Sequence, residues 1–157
     1  MPKGAGYPAR HRLMLLPDVN VLIYAFRQKV PQHAVCRTWL DNTILSGARF
    51  GVSPLALGAV VRITTHSRVF AEPSTLDDAF GYCNDILGQP NCQIVEAGER
   101  HWDIFQRLCT ETDTRGSRIT DAWYAALAIE WGCEWVTMDR DYARFPGLKW
   151  SVPREGP

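Results

Sequence analysis

The stretch "TDAWYAALAIEWGCEWVTMD", residues 120–139, decides the fold. Residues 120–132 form a strongly helical run that Gly132 closes, since glycine accepts the left-handed backbone of a helix end. Two residues later "EWVTM" (134–138) reads as a strand, rich in β-branched and aromatic side chains. A helix delivered so directly into a strand is the second half of a crossover unit, which parallel strands require.

The same alternation extends along the chain. "LMLLP" (13–17) is a first short strand, and "HAVCRTWLDNTILSG" (33–47) sets Cys36, Trp39, Leu40 and Ile44 on one helical face before Gly47. "RFGVS" (49–53) is a second strand and "LALGAVVRITTH" (55–66) a largely apolar helix. "PSTLDDAFGYCNDILGQP" (73–90) opens on a Ser/Thr-x-x-Asp capping pattern and ends in Gly and Pro, so it is a further helix. "CQIVEA" (92–97) is a strand, "ERHWDIFQRLCTE" (99–111) a helix, "TDTRGSRI" (112–119) a polar loop and "LKWSV" (148–152) an edge strand. Strands separated by helices predict an α/β fold: one domain, with a central, mostly parallel sheet flanked by helices on both faces. The folded part spans 13–152, with a flexible tail at 1–12 and a short C-terminal tail at 153–157.

Bulk properties exclude several classes. The 157 residues, 46% hydrophobic and 22% charged, suit one globular domain with a real core. No uninterrupted apolar run approaches the roughly 18 residues of a membrane span. The first twelve residues lack the apolar centre of a secretory signal. Five scattered cysteines, odd in number and without a CxxC pair, argue against a zinc site or disulfide framework and for the reducing cytoplasm. Formal net charge is zero, but Lys3, Arg10 and Arg12 crowd the N-terminus. The remainder holds 14 basic against 17 acidic residues, a net of −3, so charge alone lends no support to nucleic-acid binding.

The acids carry the chemistry. Asp18 lies in "LMLLPDVNVLIYAF" (13–26), between two apolar runs, where an ionised carboxylate needs a helix cap, a basic partner or a metal ion. Asp139 and Asp141 follow the strand "EWVTM", and Asp121 opens the helix before it. In an open α/β sheet ligands bind beyond the carboxyl ends of the strands, where these acids would gather. Two unit charges about 4 Å apart repel by roughly 4 kcal/mol at an effective dielectric near 20, so such a cluster wants a cation. An all-oxygen set without a nearby histidine favours Mg²⁺ or Mn²⁺. Each acid also has a plainer role: Asp121 as a helix cap, Asp141 as a solvated turn residue, Asp139 as an arginine's partner. Asn20 either orders a turn or supports a ligand.

Taken together, "PDVNVLIYA" (17–25), "VVRITTHSRVF" (60–70) and "ITDAWYAALAIEWGCEWVTMDRDYARFPGLKW" (119–150) resemble the PIN-domain family, and more narrowly the VapC-type ribonuclease toxins of bacterial toxin–antitoxin modules. The resemblance runs from about Leu13 to Val152. It implies a Mg²⁺- or Mn²⁺-dependent endoribonuclease, a homodimer, and inhibition by a VapB-type antitoxin. Asp18, Asp121 and Asp139 match the family's catalytic acids; with Asp141 they would be the metal ligands, and Thr137 matches the hydroxyl residue two before Asp139. The implied chemistry is attack by water on a phosphodiester of structured RNA, such as tRNA or rRNA, leaving a 5′-phosphate. One position departs from the pattern. Where many members carry a glutamate three residues before an arginine, this chain has Ala59 before Arg62. The alternative is therefore a catalytically weak or inactive PIN-fold protein that binds RNA or a protein.

An acidic site repels RNA, so neighbouring cations must guide the backbone. Arg115 and Arg118 precede Asp121, and Arg62, His66 and Arg68 form a second group, with His66 four residues beyond Arg62 on one helix face. The plainer reading of each is a solvated surface charge. Trp39, Trp123, Trp131 and Trp135 fall in elements that must bury surface, which favours core or dimer packing over base stacking. Two rival α/β classes fail on spacing: a haloacid-dehalogenase phosphatase needs an aspartate where Asn20 stands, and a receiver domain needs an acidic pair after its first strand.

Overall fold

The computed structural model describes residues 13–154; the expected N-terminal tail and the end of the C-terminal one lie outside the described residues. Five strands form one parallel sheet: β1 (Leu15–Pro17), β2 (Phe50–Val52), β3 (Cys92–Ile94), β4 (Glu134–Val136) and β5 (Trp150–Ser151), in the order β3-β2-β1-β4-β5. The chain builds outward from β1 through β2 to β3, then returns to lay β4 and β5 on the other side of β1. The order reverses between β1 and β4, the place where open α/β sheets form their crevice.

Six helices cover the sheet: α1 (Val19–Phe26), α2 (His33–Leu45), α3 (Pro54–Thr64), α4 (Leu76–Leu87), α5 (His101–Thr112) and α6 (Ile119–Trp131). Side-chain alternation along the strands divides the core in two. Leu16 and Trp135 pack with α5 and α6, whereas Phe50, Val52 and Val136 pack with α1 to α4. Both faces of the sheet are thus buried, as parallel sheets require.

Local signals explain most boundaries. Ser53 caps α3 by accepting from Ala56 N–H, with Pro54 in the first turn, and Thr75 caps α4 by accepting from Asp78 N–H. Gly132 ends α6 at φ +64°, and the Cys133 N–H closes on the Ala128 carbonyl. The strands are shorter than the sequence predicts, three residues or fewer. The second apolar run, after Asp18, is the helix α1, a helix the sequence reading did not assign. Val21, Leu22, Ile23 and Ala25 are all buried, so α1 has almost no polar face to reveal a helical period. Part of the polar loop 112–119 is a 3-10 turn, Gly116–Arg118, that runs into α6. The α3 helix stops at Thr64, so His66 lies past its end rather than on a helix face shared with Arg62. Of the tryptophans, Trp135 is fully buried against Tyr124 and Tyr142, while Trp131 is 41% exposed.

Gly51 shows how tightly the sheet meets its α5–α6 side. A Cβ there would lie 2.7 Å from Val95 Cγ2 and 3.3 Å from Leu16 Cδ1. Gly51→Ala should therefore lower the urea midpoint by an overpacking cost of about 1–3 kcal/mol. Adding Val95→Ala should recover part of that loss; strictly additive effects of the two changes would show that the clash does not set the cost.

Candidate active site

The N-terminal end of α1 meets the carboxyl ends of β1 and β4. Asp18 N–H donates to the Val136 carbonyl at 2.8 Å, prolonging the β1–β4 ladder by one bond. The Asp18 carboxylate is 6% exposed and has two donors: Val19 N–H to Oδ1 at 2.6 Å and Thr137 Oγ1 to Oδ2 at 2.6 Å. It is the N-cap of α1, so one of the roles open to it in the sequence is filled. Burial pushes its pKa up to about 6, with repulsion from Asp121 and Asp139 adding to the rise and the two hydrogen bonds opposing it.

Thr137 and Asn20 fix the turn after β4. Asp139 N–H donates to Thr137 Oγ1 at 3.0 Å, so one buried hydroxyl links Asp18 to the backbone of Asp139. Asn20 Oδ1 accepts from Met138 N–H at 3.2 Å, which ties the start of α1 to the same turn. The Asp139 carboxylate accepts from Asp141 N–H at 2.9 Å, and among the described residues no arginine pairs with it.

Asp121 sits in the first turn of α6, three residues past the N-cap position, which Arg118 occupies; it does not cap the helix. Tyr142 Oη donates to its Oδ1 at 3.3 Å and Arg144 Nη2 to its Oδ2 at 3.4 Å. Tyr142 is 2% exposed between Trp135 and Phe145. Burial, then the charges of Asp18 and Asp121, keep its phenol well above the ordinary tyrosine pKa. The sequence reading singled out neither Tyr142 nor Arg144. The only trace they leave there is a buried-type aromatic and a cation set two apart in "DRDYARF".

Asp18, Asn20, Asp121 and Asp139 line one pocket of about 300 Å³, and Ala59 and Arg62 line it with them. Two other hollows, of about 420 and 500 Å³, contain none of the four aspartates singled out above. Three carboxylates and an amide oxygen make an all-oxygen donor set, and their mutual repulsion is what a hard cation would relieve, so the residues fit Mg²⁺ or Mn²⁺. They are not drawn together in advance: among the described residues no three acidic, histidine or cysteine side chains stand as a ready ligand group. Asp141 does not line the pocket; it is exposed and pairs with Arg118 at 3.4 Å.

The cations divide likewise. Arg62 reaches the pocket, and its charge opposes that of Asp18 on the Tyr124 phenol, which burial raises to about 12. Arg115 pairs with Asp113 at 2.9 Å, and both side chains are largely exposed. The His66 ring accepts from Arg68 N–H at 3.0 Å in the turn after α3, and neither residue lines the pocket.

Comparison with known proteins agrees with this architecture. The PIN domain family model matches residues 15–148. Ribonuclease VapC43 of Mycobacterium tuberculosis is 37% identical over 143 residues, covering 91% of this chain and 97% of that protein. Ribonuclease VapC33 of the same species is 39% identical over 140 residues, covering 89% and 98%. Among solved structures, VapBC2 from Rickettsia felis bound to a promoter DNA fragment superposes with a TM-score of 0.68 at 14% identity, covering 89% of this chain and 98% of that one. The M. tuberculosis VapC20 structure, a sarcin-ricin loop cleaving toxin, gives 0.60 at 14% identity, covering 86% and 98%. At those identities the likeness is one of fold.

Asp18 makes stability depend on pH in a stated direction. Its folded pKa, about 6, lies above the ordinary 3.8, so the folded state holds the proton more tightly. The associated stability is complete below pH 3.8 and is lost as the pH rises through 6. Without divalent ions, the protein should lose up to about 3 kcal/mol across that window relative to Asp18→Asn. A constant difference between the two proteins in urea titrations from pH 4 to 7 would overturn this.

Proposed function

The chain belongs to the PIN-domain family, on its VapC branch, and from that premise we propose that it is the ribonuclease toxin of a toxin–antitoxin pair. It cuts RNA by hydrolysis at the pocket of Asp18, Asp121 and Asp139. The observation that carries the reading is the meeting of these three acids, from the ends of β1 and β4 and the start of α6, in one pocket at the switch point of the sheet. The ribonuclease relatives, 37% and 39% identical over nearly their whole lengths, support the same activity.

Each residue has a task in this reading. Asp18, Asp121 and Asp139 would hold Mg²⁺ or Mn²⁺, which when bound supplies a more acidic water and offsets charge on the scissile phosphate. Thr137 orients Asp18 by donating to it and fixes Asp139 by accepting from its N–H. Asn20 holds the backbone between them. Tyr142 and Arg144 steady Asp121, one on each oxygen. Arg62, which lines the same pocket, draws the phosphodiester into a site whose own charge repels it. Arg68, Arg115 and Arg118 are exposed and would act further along the RNA, as would His66.

The partners follow from the same reading: a structured RNA, a VapB-type antitoxin and a second copy of the chain, in the cytoplasm. Several of the similar structures are VapBC complexes, which supports an antitoxin partner. Among the described residues no helix is long and apolar enough to cross a membrane. Ala59 favours one second reading. It sets a methyl group in the pocket wall where many relatives of this fold have a carboxylate, so a protein that binds RNA without cutting it is the alternative.

The test is cleavage of total cellular RNA by antitoxin-free protein in Mg²⁺ or Mn²⁺. Discrete fragments with 5′-phosphate ends are expected. EDTA should abolish them, and Asp121→Asn should reduce their rate by more than roughly a hundredfold, since even residues behind the ligands are worth ten- to a hundredfold. Fragments ending in 2′,3′-cyclic phosphate would overturn attack by water. Folded protein that cuts nothing in either metal would overturn catalysis in favour of the binding-only alternative.

A further inference from the structure

Asp121 is the one pocket carboxylate that carries a fixed positive charge among the described residues. Arg144 Nη2 lies 3.4 Å from its Oδ2, with the two side chains only 22% and 31% exposed. The guanidinium is clamped from two further directions: Nη1 donates to the Asp141 carbonyl at 2.8 Å, and its carbon stands 4.2 Å over the Phe145 ring. It approaches Asp121 from behind, because Arg144 does not line the pocket. A guanidinium cannot shed its charge in a protein, so this cation stays.

Both oxygens of Asp121 are therefore engaged, one by a neutral donor and one by a cation. The Tyr142 phenol leaves the carboxylate's charge intact. Arg144 offsets it, and would repel any second cation drawn to the same group. We propose that Arg144 is a built-in counter-cation of Asp121: it holds the aspartate in place before loading and competes with a divalent metal ion for it. The inference rests on the metal-dependent reading above and assigns Arg144 a positioning role. A purely supporting arginine makes the opposite prediction, since its loss would let Asp121 wander and would weaken metal binding.

Calorimetric titration of the full chain with Mn²⁺ alone, without RNA, separates the two. Arg144→Gln should bind Mn²⁺ about three- to fivefold more tightly than the unaltered protein, the upper part of the range for a partly screened ion pair. Arg144→Lys, which keeps the charge, should stay within about twofold, as should Tyr142→Phe, which removes only the neutral donor. Arg144→Met, which keeps an aliphatic stem over Phe145, serves as the neutral variant if Arg144→Gln does not fold. Thermal melts without metal give a second readout: the neutral variant should melt lower, and saturating Mn²⁺ should raise its Tm more than that of the unaltered protein. Equal or weaker Mn²⁺ binding by the neutral variant would overturn the competition and leave the metal-dependent reading standing. Absence of Mn²⁺ binding by every folded form would overturn both.

Discussion

The hydrogen bond from Thr137 Oγ1 to Asp18 Oδ2 joins residues 119 apart in sequence, and the site depends on it. It exists because β1 and β4 are neighbours, which in turn requires the chain to reverse its direction of growth across the sheet after β3. The register pairs Pro17 with Val136, so the next residue of each strand, Asp18 and Thr137, falls at the same level. Thr137 is fully buried and Asp18 nearly so, and each satisfies part of the other's hydrogen-bonding need. A buried carboxylate is held at a cost, which its raised pKa records, and two short hydrogen bonds offset only part of it. The fold thus spends stability to fix one acid at its crevice.

Much of this was legible in the sequence because the strongest signals were local. Gly132, Ser53 and Thr75 mark helix ends by chemistry that acts within four residues, and the alternation of helix and strand determines a parallel sheet. Asp18 was conspicuous because apolar runs flank it on both sides. What stayed hidden was tertiary. The α1 helix is buried on nearly every side and shows no period. Asp121 looked like a cap because it stands near a helix start, whereas the N-cap position lies three residues earlier, at the end of the 3-10 turn. The resemblance adds Asp141 to Asp139 as a metal ligand, yet the turn sends Asp139 into the pocket and Asp141 out to Arg118, in keeping with the solvated turn role its position also allowed. Tyr142 and Arg144 act on a residue more than twenty positions away, and no local pattern announces such a contact.

The three pocket acids share a chemical type and little else. Asp18 is held by neutral donors and is nearly buried, and that burial raises its pKa. Asp139 is more open; its own N–H is spent on Thr137 and its carboxylate on the backbone of the turn. Asp121 alone faces a cation. Identical side chains with different surroundings respond differently when charge enters the pocket, because a new positive charge relieves most strain where desolvation is worst. Burial gives Asp18 a charge that a cation would relieve, whereas Asp121 already has Arg144 to offset it.

That contrast gives Ala59 a physical meaning. A glutamate there would add a fourth negative charge to a pocket whose lining holds one cation, Arg62, and would raise the repulsion that Asp18 already bears. With alanine in that place, Arg144 beside Asp121 and Arg62 in the pocket lining bring the pocket to within about one charge of balance. A pocket so close to neutral attracts cations less strongly than a four-acid cluster, but it also repels a phosphodiester less. In the proposed metal-dependent cleavage of RNA the two effects pull in opposite directions. If the pocket works as proposed, alanine at position 59 favours admitting a phosphodiester over holding a cation, and it leaves the Asp18–Thr137 contact in place.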